Sequence, residues 1–403
     1  MTVYLIRRLM QSALVVLAMT VILFLGVYAI GDPVEILISP DADQIERERA
    51  IAALGLDKPL WLQYVTFLQN AMRGDLGRSF VFNEPALKLI LQKMPATLEL
   101  AFAATIFAVL IGLPLGLWAG LRPDALSSRV ALGAFACFVA IVLAALFAPW
   151  IAPQNPYDLA QLDIMDGRMP PGTVGGAGFT YLLGTDDQGR DMFSGILYGL
   201  RISLAVGAGS AFIAFCVGTA LGLIAAYFGG RTDTIIMRVV DLQLSFPSIL
   251  VALMILAFLG KGILNVVIAI VVVEWAYYAR TVRGTALVER RREYIEAATC
   301  LALSHSRIVF RHLLPNCMPP LIVIGTMQIA RAIALEATLS FLGLGVPVTE
   351  PSLGLLIANG YEYMLSGRYW ISFYPGIALL VTIVVINLVG DQLRDVLNPR
   401  LRR

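Results

Sequence analysis

The stretch EYIEAATCLALSHSRIVFRHLLPN, residues 293–316, stands as a charged island between long apolar runs. Arg290, Arg291 and Arg292 lie just ahead of it, and Arg307 and Arg311 lie inside it. A guanidinium at the centre of a bilayer costs at least about 2.5–3.5 kcal/mol. A short helical pair this rich in arginine must therefore stand in water between two spans.

The flanking sequence is apolar enough to supply those spans. The chain is 58% hydrophobic and 14% charged, with a mean hydropathy of +0.79, a composition that belongs in a bilayer. A transmembrane helix takes about 20 apolar residues. Runs of that quality cover residues 9–30, 100–121, 130–152, 202–228, 242–260 and 370–390. Two more are interrupted by charge: 263–278 carries Glu274, and 313–335 carries Arg331. The pattern predicts an all-α polytopic membrane protein with about eight transmembrane helices. The first run is longer than the core of a removable signal peptide and no small-x-small site follows it, so it reads as a span.

Eight spans put both termini on one side, and basic residues select that side. With the N-terminus inside, the inner segments (1–8, 122–129, 229–238, 280–312 and 391–403) hold 17 of the 30 Lys and Arg. The outer segments hold 12 over about twice the length. This places both termini and the charged island on the cytoplasmic side of the membrane.

Several function classes drop out. A net charge of +2 gives no case for nucleic acid. Cys137 and Cys216 lie in apolar runs, Cys300 and Cys317 in or beside the island, and no CxxC pair is present. His305 and His312 stand seven apart without a third ligand, so no metal site is expected. Neither GxxxxGK[ST], GxSxG nor HExxH occurs, which removes ATP hydrolysis by a phosphate loop and the commonest serine and zinc hydrolases. No catalytic residue and no cofactor is assigned, and energy, if it is used, must come from another subunit.

The island resembles the coupling loop of an ABC-transporter permease. In that family a Glu-Ala-Ala, a glycine four residues later and a Leu-Pro mark a cytoplasmic helix-turn-helix that docks into a groove on the ATPase. Glu296, Ala297, Ala298, Leu314 and Pro315 fit that pattern, Arg307 adds to its basic character, and Ala302 stands where the family has glycine. The resemblance implies an ATPase-coupling role for these seven residues, in and just after a loop at 289–312. From about residue 130 onward, LFAPWIAPQNPYD, LLGTDDQGRDMFSGILYGLRISLAVG, LSFLGLGVP and GDQLRDVLNPRLR resemble one permease of dipeptide, oligopeptide and nickel importers. MTVYLIRRLMQSALVVLAMTVILFL, LGLDKPLWLQYVTFLQNAMRGDLGRSF and PATLELAFAATIFAVLIGLPLGLWAGL resemble the beginning of the other permease of such importers. One complete ABC-importer permease core is implied, with two ABC ATPase subunits, a second permease core (a homologue or a second copy) and a periplasmic substrate-binding protein as partners.

An internal repeat points to the same organisation. A shift of 106 residues aligns 97–121 with 203–227 and superposes Leu98 on Leu204, Ala108 on Ala214 and Gly112 on Gly218. It also superposes Leu115, Gly116, Leu117 and Ala119 on Leu221, Gly222, Leu223 and Ala225. The first helix of a core thus occurs twice, and small residues at this spacing let helices approach closely. The expected division is 1–125 as a truncated partner-type front, 126–201 as a first span with its periplasmic loop, 202–396 as the core, and 397–403 as a basic tail.

Polar groups within spans mark where a pathway could run, and here they are Asp241, Gln243, Glu274, Gln328, Arg331 and Glu336. The plainer alternative is that Asp241 and Arg238 snorkel to the inner surface, while Arg331 and Glu336, five apart, satisfy separate neighbours. The outer segments at 152–200 and 343–369 are long and turn-rich; the resemblance implies contact with a binding protein, and a self-contained cap is the alternative. The function expected is a permease subunit for peptides or a related small solute, forming half of a translocation pathway and coupled to a separate ATPase. A stand-alone secondary transporter or channel, or a non-functional relic of a permease gene fusion, is the alternative.

Overall fold

The computed structural model describes residues 6, 8–10, 12–14, 16–21, 24, 51, 57–79, 82, 84–121, 123–158, 162–176, 178–347 and 349–397. The expected first span at 9–30 falls partly, and the basic tail at 397–403 almost wholly, outside the described residues. The chain forms two compact units, Met1–Ser128 and Arg129–Arg403.

In the first unit, Pro59 opens α1, Leu60–Met72, and α2 runs from Ala86–Leu121. The apolar window of α2 is 0% buried within the chain, which is tolerable where lipid tails replace water. Gly112, the repeat counterpart of Gly218, has nothing within 4 Å of where its Cβ would be.

The second unit begins within α3, Pro123–Leu146, and continues into a short α4, Ala148–Ile151. Across it run α5, Met192–Phe228; the pair α6, Gly230–Ser245, and α7, Ser248–Leu259; and α8, Ile263–Glu289. The charged segment after α8 holds α9, Glu293–Cys300, and α10, His305–Arg307. There follow α11, Leu314–Phe341, α12, Leu353–Tyr361, and α13, Trp370–Leu397. Asp191 starts α5 by accepting the Ser194 N–H at 2.8 Å, and Gly229, with φ +66°, ends it, a capped start and a glycine stop.

Among the described residues five helices are long and apolar enough to cross a membrane, or six if a bent pair is one span. The described residues thus do not confirm the expected eight. The run at 242–260 is not one straight span, because α6 and α7 meet at 95°. Pro247 has no N–H and forces its predecessor out of helical geometry, and Phe246 is extended at ψ 145°. The run at 130–152 forms the later part of α3, which ends at Leu146 before the chain breaks at Phe147 and Pro149.

The core is α5 packed along α8 and α11, and glycines set how close they come. A Cβ on Gly218 would stand 2.3 Å from the Trp275 carbonyl oxygen, and one on Gly222 would stand 2.1 Å from Val282 Cγ1. On the α11 side, a Cβ on Gly207 would stand 2.3 Å from Ile333 Cγ1. Val266, Ala269, Ile270 and Val273 of α8 fill one half of this core together with Val206, Ala332 and Leu339.

The segments at 152–200 and 343–369 are more ordered than their turn-rich composition implies. Within 343–369, α12 is capped by Ser352, which accepts the Leu355 N–H at 3.2 Å, and it buries Leu353 and Leu356. In the segment ahead of α5, Asp166 accepts the Gly176 N–H at 3.0 Å and the Tyr181 hydroxyl at 2.9 Å, beside the two-residue strands Thr173–Val174 and Thr180–Tyr181. Burial and that hydrogen bond push the Tyr181 hydroxyl up to about 12. Arg190 donates to Asp186 at 2.6 Å, and Trp370 Nε1 donates to the Thr185 carbonyl at 3.2 Å, fastening the segment to α13. GTDDQGRD is thus largely interior: Asp186, Arg190 and Asp191 are all buried.

Candidate functional site

The charged segment after α8 is a helix-turn-helix built on the core. Ile295 and Ala298, three apart on α9, are both buried and pack with Ile308 and Leu313 onto Leu223, Tyr278, Val282 and Leu321. That registry turns the opposite face outward, where Glu296 and Ala297 are exposed. Ala298 does not share that face, so of the expected Glu-Ala-Ala contact set only the first two residues are available to a partner. Arg307 and Pro315 are exposed and Leu314 is half-buried. Leu301, 74% exposed, and Phe310, 67% exposed, add apolar surface that the sequence reading did not single out. Large apolar side chains inside an otherwise charged segment were the available signal.

Ala302 closes α9. Its φ is +51°, the left-handed region, and the bonds around it form a Schellman motif. The Leu303 N–H donates to the Ala298 carbonyl at 3.2 Å and the Ala302 N–H donates to the Thr299 carbonyl at 3.0 Å. The turn has the geometry a glycine would favour, with alanine in place.

Beyond α10 the chain widens into a π-helical turn, Ile308–Leu313, leading into α11. Pro315 cannot donate to the Arg311 carbonyl and its ring crowds that position, so the ladder is displaced upstream. The segment is braced against the core at two points. Tyr227 at the end of α5 bonds His305 Nδ1 at 2.6 Å, and Arg290 donates to the Ala226 carbonyl at 3.0 Å with its guanidinium 5.9 Å from the Tyr227 ring centre. Tyr294 donates to Glu289 at 2.8 Å, and burial together with that bond pushes its hydroxyl up to about 12.

Within the helices, polar residues of α8 recur every third position and each meets a partner from another element. Glu274 accepts from the Gln328 side-chain amide. Tyr277 lies under the Arg331 guanidinium, 4.6 Å from ring centre to Cζ. Arg280 pairs with Asp241, and Arg283 holds Asp233 through two bonds of 2.5 and 2.6 Å. From Glu274 to Arg283 this ladder spans about 13.5 Å of helix axis. Glu336 stands apart from it: its carboxylate accepts the Ser203 and Ser340 hydroxyls, each at 2.8 Å, joining α5 to α11.

Of the six expected pathway residues, Asp241 and Arg331 are exposed and Gln243 is half-buried, while Glu274, Gln328 and Glu336 are at most 3% exposed. The structure brings Glu274, Gln328 and Arg331 together and leaves Gln243 and Glu336 elsewhere. Arg280, Arg283 and Asp233 were missed because each looked like one more basic or acidic residue near the inner surface.

Residues 218–403 match the family described as binding-protein-dependent transport system inner membrane component, and residues 1–101 match the N-terminal family of such membrane components. Residues 124–171 match the N-terminal transmembrane domain of oligopeptide transport permease C. The chain is 39% identical over 275 residues to the di/tripeptide transport system permease protein DppC of Pseudomonas aeruginosa, covering 68% of this chain and 89% of that protein. It is 35% identical over 289 residues to the oligopeptide transport system permease protein OppC of Bacillus subtilis, covering 72% and 92%. Among solved structures, the inward-facing MetNI methionine ABC transporter aligns at 22% identity with a TM-score of 0.43, over 51% of this chain and 98% of that one.

Proposed function

The chain belongs to the binding-protein-dependent transport system inner membrane components, as a multi-pass permease subunit of an ABC importer, and from that premise we propose that it carries peptides inward as half of a translocation pathway. The observation that carries this reading is one core with one exposed helix-turn-helix built onto it. Glu296 and Ala297 face outward while Ile295, Ala298 and Ile308 anchor the same segment inward. A movement imposed on that face by an ATPase reaches α5 through Tyr227 and Arg290. The likeness to two permeases named for di/tripeptides and oligopeptides supports peptides as the solute class.

On this reading Glu296, Ala297, Ala302, Arg307 and Pro315 meet the ATPase or shape the turn that does. Two ATPases need two docks, so a second core, homologous or identical, completes the pathway. The folded outer segments receive a periplasmic binding protein, both termini are cytoplasmic, and the chain itself catalyses no reaction. The front unit is a truncated partner-type permease joined to an intact core. The unit boundary at Ser128 and Arg129 supports this, as do α2 and α5, which begin at Ala86 and Met192, the same 106 residues apart as the sequence repeat.

The test is uptake of radiolabelled tri-alanine into proteoliposomes that hold the chain, its second core and the ATPases, with binding protein outside and ATP enclosed. Accumulation that requires both ATP and the ATPase supports the reading. Equal uptake without the ATPase would identify a stand-alone transporter instead.

A further inference from the structure

The arginines of the intramembrane ladder differ in how they are satisfied. Arg280 is paired with Asp241 and Arg283 with Asp233. Arg331, exposed on α11, has no carboxylate at ion-pair distance among the described residues. Its Nη1 reaches Gln328 Oε1 at 3.4 Å and its Nη2 reaches Tyr277 Oη at 3.4 Å, both at the long limit of a hydrogen bond. A guanidinium carries five N–H donors in a fixed fork, so most of those on Arg331 are unused.

The surroundings hold that fork in place. The Gln328 amide nitrogen donates to buried Glu274, which turns its oxygen toward Arg331, and the Tyr277 ring lies against the guanidinium with 4.6 Å between Cζ and ring centre. The result is a pre-oriented cation on the surface of a membrane-spanning helix, where an unpaired charge is expensive unless water or an anion meets it. A planar fork with open donors matches a carboxylate in bidentate geometry. Because no protein carboxylate is locked onto it, an incoming one can bind and leave, as conduction requires.

We infer that Arg331, positioned by Gln328 and Tyr277, is a binding station in the pathway for the terminal carboxylate of a passing peptide. This rests on the reading of the chain as a peptide permease. Glu274 is a positioning residue that acts through Gln328.

The test uses the assembled complex in proteoliposomes, with tri-alanine and tri-alanine amide as probes. Each uptake rate is divided by that peptide's occupancy of the binding protein, so that selection by the binding protein cancels. The wild-type complex should favour the acid by about tenfold or more. Arg331→Gln should bring the ratio close to one, and Arg331→Lys, which keeps the charge without the fork, should fall between. A ratio unchanged in Arg331→Gln overturns the inference. Equal loss of both peptides in an assembled Arg331→Gln complex also overturns it, and assigns Arg331 to the contact with the second core. Should Arg331→Gln fail to assemble, Arg331→Lys carries the test: a lowered ratio supports the station and an unchanged one overturns it. A wild-type complex that takes up neither peptide refutes the peptide reading itself, and the station with it.

Discussion

Replacing Ala302 with glycine has an effect that follows from one backbone angle. At φ +51° the residue occupies the left-handed region, where a side chain crowds the following carbonyl at a cost of about 1–2 kcal/mol. Glycine removes that strain but gives up about 0.4–1 kcal/mol through its greater freedom in the open chain. The difference leaves Ala302→Gly stabilising the turn by about 0.5–1 kcal/mol, roughly two- to fivefold in its closing equilibrium. Two amide protons report that equilibrium directly, since those of residues 302 and 303 donate to the Thr299 and Ala298 carbonyls. Hydrogen exchange at both should slow two- to fivefold in Ala302→Gly. It should quicken in Ala302→Val, whose branched side chain fits the left-handed region worse. If the ATPase binds only the closed turn, its affinity for the glycine variant rises by no more than the same factor. Exchange that is unchanged or faster in Ala302→Gly refutes the argument, because the turn would then not be held in the left-handed geometry.

Ala297→Trp places a bulky group on the outward face of α9 without touching the buried Ile295 and Ala298; ATP-driven uptake should collapse while the amount of inserted chain stays near wild type. Gly218→Leu drives side-chain atoms into space where even a Cβ would stand 2.3 Å from the Trp275 carbonyl oxygen, so folded protein recovered in detergent should fall sharply, whereas Gly112→Leu, with open space around it, should be tolerated. Glu336→Ala strands the buried Ser203 and Ser340 hydroxyls and should destabilise the chain by about 1–3 kcal/mol, read as a lower unfolding temperature.

The parts legible in the sequence were those decided by averaged hydropathy or by short-range pattern. Long apolar runs predicted α5, α8, α11 and α13, because lipid leaves a helix as the open chain's only way to satisfy its backbone. The charged island predicted a helix-turn-helix, and the glycine-position alanine did fall in a left-handed turn. Other features depended on partners far along the chain. The pairing of Arg280 with Asp241 and the isolation of Arg331 are set by how α6, α8 and α11 are packed, which no local window contains. The turn-rich composition around Asp166, Asp186 and Arg190 gave no sign of their burial, in which Gly176 and Tyr181 donate to Asp166 and Arg190 pairs with Asp186. The bend at Phe246 and Pro247 was marked by the proline, but the apolar run on both sides of it read as a single span. Ala298 was assigned to the partner-facing surface from the motif alone, whereas its three-residue spacing from Ile295 places it on the buried face.

The central claim is that one chain supplies one ATPase dock and therefore half of a pathway. It is tested most directly by purifying the assembly through a tagged ATPase and weighing it by native mass spectrometry alongside ATP-driven uptake. Two permease cores for every two ATPases is the stoichiometry predicted. A particle with a single core that still drives full ATP-dependent uptake would contradict it.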